Sequence, residues 1–79
     1  MKFCNILKEL RQGKNLTHQQ LANELGFSRA VIGFWESGNR QPASDAIIAL
    51  ATFFDVSADY LLGLENEDGT KIRSRANNK

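Results

Sequence analysis

The side chains that could carry out catalysis in this sequence are few. The chain has one cysteine, Cys4, and one histidine, His18. A cysteine nucleophile needs a base within hydrogen-bond reach, and nothing in the sequence brings these two residues together. The sequence also lacks paired carboxylates on one helix face, ligands at metal-binding spacing and a glycine-rich phosphate loop. We therefore expect no enzyme activity, no metal and no cofactor, and we interpret Cys4 as a free thiol.

The charged side chains are unevenly distributed along the chain, and this points to a different kind of chemistry. The 79 residues have a formal net charge of only +1. Residues 1–41 carry six positive and three negative side chains, a net of +3, whereas residues 42–64 carry three aspartates, a net of −3. A basic half beside an acidic half suggests one face directed at phosphates, although chance unevenness in so short a chain is the alternative.

Length and composition indicate a single soluble domain. Hydrophobic residues make up 42% and charged residues 24% of the chain, a balance typical of a folded globular protein. No apolar run approaches the roughly 20 residues that cross a bilayer, and the first residues lack the apolar stretch of a signal peptide. We therefore expect a cytoplasmic protein that is not bound to a membrane, with one domain over residues 1–64.

The first helix is predicted by an apolar stripe. Four apolar residues recur at i, i+3, i+4 and i+7, the spacing of one helix face, and Gly13 follows where a left-handed C-terminal cap would sit. The four residues are Phe3, Ile6, Leu7 and Leu10.

Two short helices joined by a tight glycine turn are predicted next. Thr17 can cap the second helix and form a capping box with Gln20, and Gly26 ends it. Ser28 can cap the third helix, which ends at Gly38. The second helix has Leu21, Ala22 and Leu25 on its inner face, and the third runs through Val31, Ile32 and Trp35.

Pro42 separates these helices from two more. A proline disfavours helix at the preceding residue and suits a helix entrance just beyond, so we predict a fourth helix from near Ser44. Ser57 can cap a fifth, short helix that ends around residues 62–63. The apolar stripe of the fourth helix consists of Ile47, Leu50, Ala51 and Phe54, widened by Ile48 and Phe53.

The order and spacing of these residues resemble the Cro/C1-type helix-turn-helix (XRE) family of phage and bacterial repressors. The resemblance covers residues 7–62 and implies an all-α, five-helix, lambda-repressor-like DNA-binding domain whose helices 2 and 3 form the helix-turn-helix. The landmarks are Leu10-Arg11, Leu16-Thr17, Gln20-Leu21-Ala22, Leu25-Gly26, Ser28, Ile32, Trp35-Glu36-Ser37-Gly38, Pro42, Leu50-Ala51 and residues 56–62.

The resemblance implies that residues 28–37 form the recognition helix, which lies in the major groove of double-stranded DNA. Helical spacing turns Ile32 and Trp35 inward, and we expect Trp35 to pack in the core, where the family places a buried aliphatic residue. The residues left to read bases are Arg29, Ala30, Gly33 and Phe34.

Groove geometry gives each of these four residues a possible role. Arg29 can form a bidentate pair with guanine, and Ala30 can lie against a thymine methyl group. Gly33 either allows close approach to DNA or is simply tolerated in the helix. Phe34 either touches a thymine methyl group or sugar, or packs at the edge of the domain.

The resemblance also implies an ion pair and a set of backbone contacts. Arg11 and Glu36 match positions that commonly pair, and Arg11 can also lean toward phosphate. His18 stands where the family usually has glutamine; it can donate to phosphate, more strongly when protonated, or be an ordinary solvated histidine. The expected phosphate contacts are Thr17, His18, Gln19, Ser28, Asn39 and Arg40.

The predicted function is repression of transcription by a homodimer bound to an operator. The candidate dimer surface comprises Val56, Ala58, Leu61 and Leu62, although these residues could instead close the core. The alternative is an antitoxin that also represses its own promoter. Residues 65–79 would then be the segment that binds a toxin, and an antirepressor is another possible protein partner.

Residues 65–79 have no helical periodicity. Ile72 is their one large apolar residue, and a segment of this composition buries too little surface to offset the entropy of ordering. We predict that this tail is disordered. Its basic side chains either touch the DNA backbone or are simply solvated.

Overall fold

The structure, a computed structural model, describes residues 2–64, which form five α-helices and no strand. The all-α prediction agrees with this architecture, while the predicted disordered tail, residues 65–79, lies outside the described residues. The helices are α1 (Phe3–Gly13), α2 (His18–Leu25), α3 (Arg29–Ser37), α4 (Ser44–Phe54) and α5 (Ala58–Leu61).

Side-chain caps begin three of the helices at the predicted residues. Oγ1 of Thr17 accepts the Gln20 N–H at 3.1 Å, while Oε1 of Gln20 accepts the Thr17 N–H at 2.8 Å, which confirms the capping box of α2. Ser28 and Ser57 each accept the N–H of the residue three positions on, at 3.1 and 3.0 Å. Each cap satisfies a backbone donor that the first helical turn leaves without an intrahelical partner.

A residue with positive φ ends each of α2, α3 and α4. The residue with positive φ that was predicted at Gly13, at the end of α1, is not found there. Gly26 and Gly38 have φ of 77° and 84°, as predicted for the ends of α2 and α3. The prediction for Gly13 is wrong, because this residue is still helical and the positive φ, 58°, falls two residues later on Asn15. Asparagine tolerates the left-handed region through local hydrogen bonds of its side chain, so a glycine is not required there.

Helix α4 faces the core with the predicted stripe, except for Ile48, and with Ala46 in addition. Ala46, Leu50 and Phe54 are buried, whereas Ile48 is 64% exposed, so its assignment to the apolar stripe is wrong. The helix is apolar at most of its positions, and more than one stripe therefore fits its sequence. The most deeply buried row is i, i+4, i+8, which begins at the small Ala46, and Ile47, Ala51 and Phe53 pack against the core beside it.

Each helix contributes one large, fully buried side chain to the core. Helix α3 packs on α1 and α2, α5 packs on α1 and α4, and α2 also contacts α4. Burial of each such side chain contributes about 1.5–3 kcal/mol to stability. The five residues, from α1 to α5, are Leu7, Leu21, Ile32, Leu50 and Leu61.

Candidate nucleic-acid interface

The inner face of α3 fixes the direction in which its outer face points. Ile32 is fully buried and Trp35 is 5% exposed, so Trp35 belongs to the core as predicted. The edge of one ring meets the face of the other between Trp35 and Phe27, with ring centroids 5.2 Å apart. This packing leaves α3 little freedom to rotate about its axis.

The four residues predicted to read bases share the outer face of α3. Arg29 and Ala30 are exposed in the first turn, and Phe34 is 38% exposed one turn further on. A Cβ atom added at Gly33 would meet nothing within 4 Å. No described part of the protein therefore requires glycine at this position. Both predicted alternatives, close approach to DNA and simple tolerance in the helix, remain.

The turn after α3 is organised around Phe34. Its carbonyl oxygen accepts hydrogen bonds from Oγ of Ser37 at 3.0 Å and from the N–H groups of Asn39 and Arg40 at 3.0 and 3.4 Å. The guanidinium of Arg40 lies over the Phe34 ring, with its central carbon 4.9 Å from the ring centroid. Both backbone and ring of Phe34 thus hold the segment that carries Asn39 and Arg40.

A polar cluster of Arg11, Glu36 and His18 ties α1, α2 and α3 together. Nε of Arg11 donates to Oε2 of Glu36 at 2.6 Å and Nη2 donates to Oε1 at 3.0 Å, which makes the pair bidentate. The two side chains are 11% and 7% exposed. Nη1 of Arg11 also donates to the Leu16 carbonyl oxygen at 2.7 Å. The C-terminal end of α3 is therefore anchored to both preceding helices.

Burial and hydrogen bonding act in opposite directions on Glu36. Burial raises the pKa of its carboxyl group, but hydrogen bonds from Arg11 and His18 lower it by more, so the net pKa lies below the usual range. The hydrogen bond to Glu36 raises the pKa of the Arg11 guanidinium, although burial opposes this. Both groups are charged at neutral pH, and the ion pair fixes the orientation of α3 relative to α1.

His18, predicted to contact phosphate, has an internal partner. Its Nε2 lies 3.1 Å from Oε1 of Glu36, and its side chain is 35% exposed. An ionised carboxylate only accepts hydrogen bonds, so Nε2 must carry the proton. Nδ1 is then the ring atom left to meet an outside partner, and it donates only when the imidazole is protonated.

The other predicted phosphate contacts lie at the N-terminal ends of α2 and α3. Thr17 and Ser28 are exposed cap residues whose oxygens already accept backbone N–H groups. Each hydroxyl can still donate its own proton to a phosphate oxygen. Gln19 is exposed and donates from Nε2 to Oδ1 of Asn23 at 2.9 Å, which orients its amide along α2.

The candidate dimer surface loses one of its four predicted residues. Leu61 is fully buried in the core of its own chain, so its assignment to a surface is wrong. Ala58 is exposed, whereas Val56 and Leu62 are half-buried and pack against the core. Val56 also lines an apolar hollow with Leu10, Ser57 and Tyr60.

Two contacts near the candidate DNA-binding face were not predicted from the sequence. The bond between His18 and Glu36 joins residues 18 positions apart, and the pairing of Arg40 with Phe34 depends on the reversal of the chain at Gly38. The first has no signal in a single sequence. The second has a weak one, because an aromatic residue on an exposed helix end next to an arginine invites a cation–π contact.

Other kinds of site have no support within residues 2–64. No group of three or more His, Cys, Asp and Glu side chains there could hold a metal ion. None of the helices in this part of the chain has the length and apolarity needed to span a membrane.

The chain matches the helix-turn-helix family over residues 7–61. It is 34% identical over 73 residues to YobD of Bacillus subtilis, an uncharacterized HTH-type transcriptional regulator, covering 92% of this chain and 65% of YobD. It is 45% identical over 65 residues to the HTH-type transcriptional activator BcrR of Enterococcus faecalis, covering 82% of this chain and 32% of BcrR. The chain thus spans less than two thirds of the length of either relative.

A solved structure shares the fold. The P22 c2 repressor protein, solved in complex with synthetic operator 9T, superposes with a TM-score of 0.75 at 24% sequence identity, covering 78% of this chain and 94% of that one. At this identity the likeness establishes the five-helix repressor-like fold that was predicted.

Proposed function

This chain belongs to the Cro/C1-type helix-turn-helix family, and on that premise we propose that it binds double-stranded DNA sequence-specifically and regulates transcription as a repressor. The observation that carries the proposal is the outer face of α3, where Arg29 and Ala30 are exposed on a helix whose inner face is locked in the core. A rigid helix with free side chains in its first turn is what major-groove reading needs.

Base reading is assigned to the first turns of α3. Arg29 follows the cap residue Ser28 and can reach O6 and N7 of guanine with two parallel hydrogen bonds. Ala30 offers a methyl group of the right size for contact with a thymine methyl group. The open space around Gly33 lets the helix backbone approach the base edges closely.

Phosphate contacts are assigned to the ends of the helices that flank this face. The exposed starts of α2 and α3 present Thr17, Gln19 and Ser28, and the turn after α3 presents Asn39 and Arg40. Such contacts fix the register of the protein on the duplex without carrying sequence information. The net charge of +3 on residues 1–41, against −3 on residues 42–64, favours approach to DNA by this side.

We propose that two copies bind together, through Val56, Ala58 and Leu62. One copy of so small a domain reads only a few base pairs, and a twofold dimer doubles the contacts. Ala58 is exposed at the start of α5, where a second copy can pack against it. The DNA sites would then be inverted repeats whose half-sites lie about one helical turn apart.

Repression needs only occupancy of a site that overlaps a promoter, which a DNA-binding domain can supply by itself. The P22 c2 repressor has the same five-helix fold. BcrR, named an activator, extends well beyond the region that matches this chain. In vitro transcription from a promoter that overlaps the bound site tests the direction of regulation, and an increase in transcript with added protein would contradict repression.

The DNA-binding proposal is tested by selecting duplexes from a random pool and then measuring affinity by fluorescence anisotropy across a salt series. Arg29→Ala is expected to weaken binding to the selected duplex about 5- to 150-fold, since a bidentate guanine pair is worth about 1–3 kcal/mol. Arg29→Lys is the matched control, because it keeps the charge and the salt dependence but loses the bidentate geometry.

Two results would contradict the assignment. One is selection that yields no common sequence. The other is an Arg29→Ala protein that binds selected and random duplexes as the wild type does. Either would leave the outer face of α3 without a role in reading DNA.

A further inference from the structure

We propose that Phe34 is a positioning residue, whose ring holds the Arg40 guanidinium ready for a DNA phosphate, and that it does not read a base itself. The inference deepens the proposed function and rests on it. It changes the role expected for Phe34 from its place on the outer face of α3, because the structure gives its ring an intramolecular partner.

The backbone brings Arg40 to the ring. Gly38 has a φ of 84° and reverses the chain at the end of α3. The Phe34 carbonyl oxygen then accepts the N–H groups of Asn39 and Arg40 and the hydroxyl of Ser37, at 3.0, 3.4 and 3.0 Å. Three residues around the turn are thereby tied to one helical residue, and the side chain of Arg40 falls back over α3.

The ring holds the guanidinium without consuming its hydrogen-bonding capacity. Arginine stacks on an aromatic ring through its flat face, and its five N–H donors lie in the plane and point outward at the edges. Among residues 2–64 no carboxylate or carbonyl oxygen accepts from the Arg40 side chain, which is exposed. The cation is therefore oriented, and its donors remain available to an anion outside the protein.

The place of Arg40 favours a phosphate as that anion. It lies two residues beyond Gly38, past the C-terminal end of α3, whereas residues that reach base edges lie in the first turns of a recognition helix. Groups flanking the groove meet the sugar-phosphate backbone.

Orientation in the free protein raises affinity because less freedom is lost on binding. An unrestrained arginine has many rotamers, and it loses them when it pairs with phosphate. Stacking on Phe34 removes part of that cost before DNA arrives. The contribution of the ring should therefore exist only when Arg40 is present.

A double-mutant cycle on the selected duplex tests this dependence. Phe34→Leu, which keeps apolar bulk but removes the ring, is expected to weaken binding about two- to five-fold. Arg40→Ala is expected to weaken binding about ten-fold and to lower the salt slope by about one. In the Arg40→Ala background, Phe34→Leu should have no further effect.

Two further readouts and a control separate positioning from other roles. The salt slope of Phe34→Leu should equal that of the wild type, because no charge is lost. Its preference for the selected duplex over duplexes with single base-pair changes should also be unchanged. The matched control is Ile48→Ala, which removes an exposed apolar side chain from α4 and should leave affinity as it is.

The opposite results overturn the inference. A Phe34→Leu effect of equal size with and without Arg40, or a changed base preference, would return Phe34 to direct contact with DNA. Arg29→Ala on the same duplex identifies which proposal fails. If Arg29→Ala abolishes selectivity while Phe34 and Arg40 act independently, only the positioning role is lost. If Arg29→Ala has no effect, the proposed function itself fails.

Discussion

Two connections in this molecule, from α2 to α3 and from α4 to α5, are built on the same backbone plan. Each passes through a left-handed residue, Gly26 or Asp55, with φ of 77° or 56°. The next residue is apolar and partly buried, Phe27 or Val56, and its N–H bonds back to a carbonyl five residues earlier at 3.0 Å. A capping serine then begins the next helix.

The two connections differ in the helix that the serine begins. The first connection leads into the nine residues of α3, which present an exposed outer face. The second leads into the four residues of α5, which place Leu61 in the core. One turn design therefore serves to display a helix in one place and to close the core in the other. The polar cluster of Arg11, Glu36 and His18 holds the displayed helix, α3, further.

The largest expected effect concerns the core residue that precedes each turn. Leu21 and Leu50 lie five residues before Gly26 and Asp55 respectively, and both are fully buried. Substitution of either by alanine should cost about 4 kcal/mol of unfolding free energy, since each leaves a cavity in a shared core. Urea denaturation, followed by circular dichroism and by Trp35 fluorescence, measures the free energy of unfolding of both variants.

The two probes also test whether the connections belong to one cooperative unit. If they do, the two signals change together in both variants. Loss of helix content before the change in Trp35 fluorescence in Leu50→Ala alone would show that α4 and α5 unfold separately, and the parallel between the two connections would then be only local.

Local chemistry explains why most of this plan could be predicted from the sequence. Ser28, Ser57, Gly26 and the Thr17 capping box are recognised by residue type within one turn of the chain. The left-handed conformation of Asp55 was not predicted, because a positive φ at a non-glycine residue depends on how the flanking helices pack.

Features that depend on packing were the ones missed or wrong. Ile48 and Ala46 could not be ranked for burial, since α4 is apolar around most of its circumference. Leu61 was assigned to a surface because a four-residue helix has too few positions to show which face is buried. The Arg11–Glu36 pair came from the family resemblance, whereas the contacts of His18 and Phe34 required the fold.

The second prediction concerns the polar cluster that anchors the C-terminal end of α3. Glu36→Gln should lower the unfolding free energy by about 2 kcal/mol at pH 7, because Arg11 and His18 lose a charged acceptor. The pKa of Glu36 is lowered in the folded protein, so its contribution is complete above the pKa of the unfolded chain and is lost as pH falls through the folded value.

The difference in stability between wild type and Glu36→Gln should therefore be constant near neutral pH and shrink below about pH 4. Urea titrations from pH 7 to pH 3 measure it. The side chains that hydrogen-bond to Glu36 are those of Arg11 and His18. Repeating the series in a His18→Gln background assigns the acid transition to Glu36, and a difference that stays constant down to pH 3 would contradict the assignment.

The smallest expected effect concerns the left-handed residues themselves. Gly26→Ala should lower the free energy of unfolding by about 1 kcal/mol, because a Cβ atom is strained at positive φ. The added atom would meet nothing within 4 Å, so this loss comes from backbone conformation alone. Asp55→Gly relieves the same strain at the second connection but makes the unfolded chain more flexible, so we expect a change within about 0.5 kcal/mol. Thermal unfolding of both variants measures these differences, with Gly33→Ala as a control in ordinary helical conformation that should be stabilised by about 0.5–1 kcal/mol. If Gly26→Ala is as well tolerated as Asp55→Gly, the two turns do not share the conformational demand that their backbone angles suggest.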